Sequence, residues 1–157
     1  MKKVLFLLEN GPNIRSNPEY HYDRFVKYSL AQEGIDSDIN LIDNTDDIRK
    51  KLEEYNPTHV VLPALWLDPE VFRSIHKNNI VWILRIPKNA ETLASIEQSV
   101  EWLNSYIQCE NTLVSCNSNR EFLDNVRDML QDSYDYTTQE IAQKIMSCDI
   151  VMTTILK

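Results

Sequence analysis

Short apolar runs punctuate the chain at regular intervals: "KVLFLL", "DINLI", "HVVLPAL", "VWILRI", "NTLVSC" and, at the end, "DIVMTTIL". Between them apolar residues recur with a period of 3.6: Tyr22, Phe25, Val26, Ser29 and Leu30; then Ile48, Leu52 and Tyr55; then Leu93, Ile96, Val100, Leu103 and Ile107. Strands alternating with amphipathic helices predict an α/β domain, doubly wound, with a mostly parallel sheet of five to six strands and helices on both faces. Local signals agree on the boundaries. Gly34 is a helix stop, Asp68-Pro69 supplies an N-cap with Pro at the first helical position, and "SNRE" from Ser118 and "TTQE" from Thr137 have capping-box spacing.

The same pattern orders the strands. "DINLI" alternates polar and apolar as an edge strand does, whereas "HVVLPAL" and "VWILRI" are apolar on both faces and belong inside. The expected order is 2-1-3-4-5, with the terminal run as a sixth strand or a strand that pairs with a second copy. Residues 1–157 then form one Rossmann-like domain, in which 131–157 add a helix and a terminal strand. In this order a crevice opens beyond the carboxyl ends of strands 1 and 3, where open α/β sheets bind ligands. Trp66 falls there. It either offers an aromatic plane to a base, a sugar or a partner's side chain, or closes the core beneath the long loop "ENGPNIRSNPEYHY".

Composition narrows the chemistry. With 157 residues the chain is long enough for a core without staples, and no apolar run approaches the roughly 20 residues that cross a bilayer. "MKKVLFLLEN" opens like a signal peptide, but its apolar stretch is short and runs into Glu9 and Asn10, so it reads as a first strand of a cytoplasmic protein. The net charge of −8 lacks the clustered cations that nucleic-acid binding needs. Only two glycines, Gly11 and Gly34, leave no room for a G-x-G-x-x-G or P-loop fingerprint. Cys109, Cys116 and Cys148 show no C-x-x-C spacing, and His21, His59 and His76 fall on separate elements, so no metal, cofactor or catalytic triad is expected.

At "NPTHVVLPALWLDPEVFRSIHKNNIVWILRIP", followed by "VEWLNSY" and "TLVSCNSNREF", the chain resembles phage-encoded glycosyltransferase-like proteins and, more distantly, the N-terminal Rossmann-type half of GT-B glycosyltransferases. The resemblance spans residues 1 to about 130. It rests on the Trp after strand 3, the V-W-I-x-R strand and the N-S turn in the same order. It implies a sugar- or nucleotide-related ancestry, but family members of this type usually carry a His-Ser pair after the strand-4 Arg, where this chain has Ile86, Pro87 and Lys88. They also often carry Glu where Pro63 stands. The donor-binding second domain of GT-B enzymes has no counterpart in a chain of this length.

The residues expected at the carboxyl edge are Glu9 and Asn10 after strand 1, Trp66 after strand 3, Arg85 and Lys88 around strand 4, and Asn117, Ser118 and Arg120 after strand 5. A helix starting at Ser118, with Arg85, Lys88 and Arg120 nearby, suits a small anionic ligand. Alternatively Ser118 is only a cap and Arg85 pairs with Glu9. The function expected is a non-catalytic binding module that captures a host protein or a nucleotide-like ligand, with a role in counter-defence. Its rival is the acceptor-binding subunit of a split glycosyltransferase.

Overall fold

A computed structural model describes residues 1–86, 97–116 and 150–157. Five strands, β1 (Lys3–Glu9), β2 (Asp36–Ile42), β3 (His59–Pro63), β4 (Val81–Ile86) and β5 (Thr112–Cys116), form one all-parallel sheet in the order β2-β1-β3-β4-β5. The expected order holds for the expected reason. β1 buries Val4 through Leu8, β3 buries Val60 through Leu62, and β4 buries Trp82 through Ile86, whereas β2 alternates and lies at the edge.

Helices cover both faces. On one side α1 (Pro18–Gln32) lays Val26 and Leu30 against Val4, Phe6, Val61 and Ile83. On the other side α2 (Asp47–Tyr55), α3 (Pro69–Ile75) and α4 (Glu97–Ile107) pack Ile48, Leu52, Phe72, Ile75 and Tyr106 against Leu5, Leu7, Val60, Leu62, Trp82 and Leu84. Phe72 is the centre of an aromatic cluster, with Trp82 and Tyr106 edge-on at 5.4 Å each. The cap expected at Asp68-Pro69 forms on α3, Asn17-Pro18 makes an equivalent one on α1, and the capping boxes at Ser118 and Thr137 lie outside the described residues. Asn17 accepts from the Glu19 N–H and Asp68 from the Glu70 N–H, both at 2.8 Å, with Pro18 and Pro69 next in line.

Two expectations are corrected. The terminal run is a helix, α5 (Ile150–Leu156), rather than a sixth strand. Its apolar residues Val151, Met152 and Ile155 lie on one helical face, and all three are fully buried on the sheet beside α1. As a strand, the same residues would have pointed to opposite faces. The second correction concerns the core stripe of α4. Val100 and Ile107 are about half exposed, and the core face is Ser99, Trp102, Leu103 and Tyr106. Two aromatic side chains bury more area than a Val and an Ile, and they set the rotation of the helix. Leu93 and Ile96 lie outside the described residues. Among the described residues no helix is long and apolar enough to cross a membrane.

Candidate functional site

The carboxyl edge is built from three loops. Beyond β1, the Asn10 N–H extends the ladder to Ile42 O at 2.8 Å, and its side chain donates to Asp43 Oδ1 at 2.7 Å and accepts from the Gly11 N–H at 3.0 Å. Asn10 therefore braces the first two loops, while Glu9 beside it is exposed. A 3₁₀ turn, Ile14–Ser16, entered through Asn13 at φ 65°, brings the chain to the Asn17 cap. That cap sets the first turn of α1 and with it Glu19.

Beyond β3, the stretch 63–69 is held at every step. Pro63 lies in register with Arg85, and the Ala64 N–H donates to Arg85 O at 2.8 Å. Leu65 takes a left-handed φ of 69°, the Leu67 carbonyl accepts from the Tyr106 hydroxyl, and Asp68 caps α3. Burial pushes the Tyr106 hydroxyl up to about 12, against an opposing backbone hydrogen bond, so it remains a donor. Trp66 is half-buried, with one side on the core and the other at the edge. Its packing on the core matches the second of the two expected roles, and its remaining exposure leaves a face of the ring accessible.

Along β4 the side chains alternate: Leu84 and Ile86 join the core under α2, α3 and α4, whereas Ile83 faces α1, and Arg85 follows it. Arg85 Nη1 donates to Asp23 Oδ1 at 2.8 Å, and both residues are about 95% buried. Arg85 thus pairs with Asp23 on α1, not with Glu9. Glu19 stands one helical turn before Asp23 on the same face. Its Oε1 is buried without a hydrogen-bond partner. Burial raises the Glu19 carboxyl above the ordinary range, and the Arg85 guanidinium opposes that shift. Glu19, Asp23 and Arg85, with Leu8, Val61, Leu62 and Pro63, enclose a cavity of about 10 Å³, enough for one water.

Of the predicted residues, Glu9, Asn10, Trp66 and Arg85 do come to the carboxyl edge, with Arg85 turned inward. Lys88, Asn117, Ser118 and Arg120 lie outside the described residues. Glu19 and Asp23 were missed. Their signal was present: 19, 23, 26 and 30 fall on one helical line, so both acids continue the stripe of Val26 and Leu30 toward the crevice.

The histidines stay apart. His59 Nδ1 lies 2.7 Å from Thr58 Oγ1 at the start of β3, and its pKa is lowered by burial and then by Lys2. His76 stacks on Trp82 and meets Glu110 O at 2.7 Å. A second depression, about 300 Å³, lies between α2 and α3, where Arg49 donates to Ser74 O at 2.8 Å. No group of His, Cys, Asp and Glu among the described residues is arranged to hold a metal ion. Comparison of the sequence with models of known protein families and with curated proteins gives no match.

Proposed function

We propose that the chain is a non-catalytic, glycosyltransferase-like binding module, phage-encoded and acting in the host cytoplasm, which captures a host protein through the carboxyl edge of its sheet. One observation carries the choice of a protein over a nucleotide-like ligand. The cation at the switch point, Arg85, is buried against Asp23, while Glu9, Asp43, Asp46 and Asp68 are exposed on the loops around the half-buried Trp66. A phosphate approaching these loops meets like charge, whereas a basic protein patch gains both steering and an aromatic anchor.

The test compares three variants in a pull-down from host lysate, followed by mass spectrometry of proteins and released small molecules. Trp66→Ala and Glu9→Lys are expected to lose the captured protein. Glu54→Lys makes the same charge change on the exposed face of α2, in a pair with Lys50, and is expected to retain it. Recovery of a sugar nucleotide in place of a protein, or turnover of one by the pure chain, would overturn the reading.

A further inference from the structure

Among the described residues, one arginine and two carboxylates line the crevice between β1 and β3. Asp23 holds the Arg85 guanidinium at 2.8 Å, which leaves Glu19 as the surplus acid, with a buried oxygen that no hydrogen bond satisfies. The space beside that oxygen is small, about 10 Å³. Glu19 as a whole is half-buried, and a carboxylate with one oxygen cut off from water relieves the cost of desolvation by taking a proton or by leaving. The other residues lining the cavity, Leu8 on β1 and Val61, Leu62 and Pro63 on β3, are uncharged, so neither strand offers a compensating cation. Among the described residues, the charged groups that line the cavity with Glu19 are Asp23, one turn along α1, and Arg85 on β4.

We propose that Glu19 is a proton-operated latch on the crevice. With a proton, it stays packed over the Asp23–Arg85 pair and keeps the space between α1 and the carboxyl ends of β1 and β3 closed. Without one, it swings to solvent from the first turn of α1 and opens a path to Arg85. The position suits such a movement. Glu19 lies two residues after the Asn17 cap, where the exposed 3₁₀ turn joins the helix, so its departure need not disturb Val26 and Leu30 further along. The latch does not depend on what the carboxyl edge captures, and its test requires no partner.

The full chain is titrated by carbon-detected NMR of the glutamate carboxyls, with exchange of the Arg85 Nε–H followed in parallel. Glu19 is expected to titrate above the ordinary carboxylate range. Arg85 exchange, taken as a ratio to that in Glu19→Gln, is expected to rise with the midpoint of Glu19. The Gln variant, neutral and of the same shape, remains closed throughout.

Linkage gives a second readout. A carboxyl raised in the folded state contributes stability that is complete below the unfolded value of 4.5 and is lost as the pH rises through the folded value. Wild type should therefore lose stability relative to Glu19→Gln across that window. A Glu19 midpoint in the ordinary carboxylate range overturns the latch from the wild-type titration alone. So does an Arg85 exchange ratio that stays flat while Glu19 ionises.

Discussion

Arg85 is carried into the interior by the alternation of a central strand, and its charge is tolerated there because Asp23 reaches it from α1. Such a pair is sensitive to the loss of one member. Asp23→Ala should destabilise the protein by about 3 to 5 kcal/mol, because it removes the carboxylate paired with a buried cation. The double replacement Asp23→Leu with Arg85→Met should recover most of that loss. Urea midpoints of the three proteins decide the matter; a double variant as weak as the single one would mean that the pair is more than a mutual neutralisation. At this scale the sequence was half legible. Strand alternation and chain order located Trp66 and Arg85 at the carboxyl edge, but an ion pair between residues 62 positions apart leaves no local mark. Glu9 ends β1, which β3 separates from β4. The geometry favours Asp23 because α1 covers the face toward which Arg85 points.

Among the described elements, the five strands and the helices between them fall where their apolar periods put them. "VMTTIL" admitted two periods. Its length suited a strand, but its apolar residues recur one and four apart, and the helical face won because it covers Val4, Phe6, Val61 and Ile83. Met152→Ala should cost about 2 to 5 kcal/mol, as expected for a fully buried side chain. The rotation of α4 offers a sharper test. Val100→Lys and Ile107→Lys should shift stability by no more than about 0.5 kcal/mol, whereas Tyr106→Ala should cost about 3 kcal/mol or more, since it removes both a packed ring and the donor to Leu67. Thermal melts of the three would expose a wrong rotation as a reversal of that order.

For the molecule as a whole, the sheet order followed from hydrophobicity because edges and centres of parallel sheets differ in how many faces they bury. The function did not follow in the same way, since one fold serves many activities. If the acidic loops around Trp66 provide the steering, association with the captured protein should slow as salt rises from about 0.05 to 0.5 M, while dissociation changes less. Surface-bound kinetics at several ionic strengths would show this, and an association rate indifferent to salt would remove charge from the account. The geometry of the chain ends bears on how that measurement is built. Lys2 Nζ donates to the Ile155 carbonyl at 2.6 Å, so the two ends of the chain meet beneath the amino ends of the strands. The crevice lies at the far end of β1, roughly 20 Å away at the rise of an extended strand. A tether at either terminus therefore holds the molecule by the same pole and presents Trp66 outward. Joining the old ends with a short linker and reopening the chain at an exposed turn would yield a circular permutant with its handle wherever it is wanted.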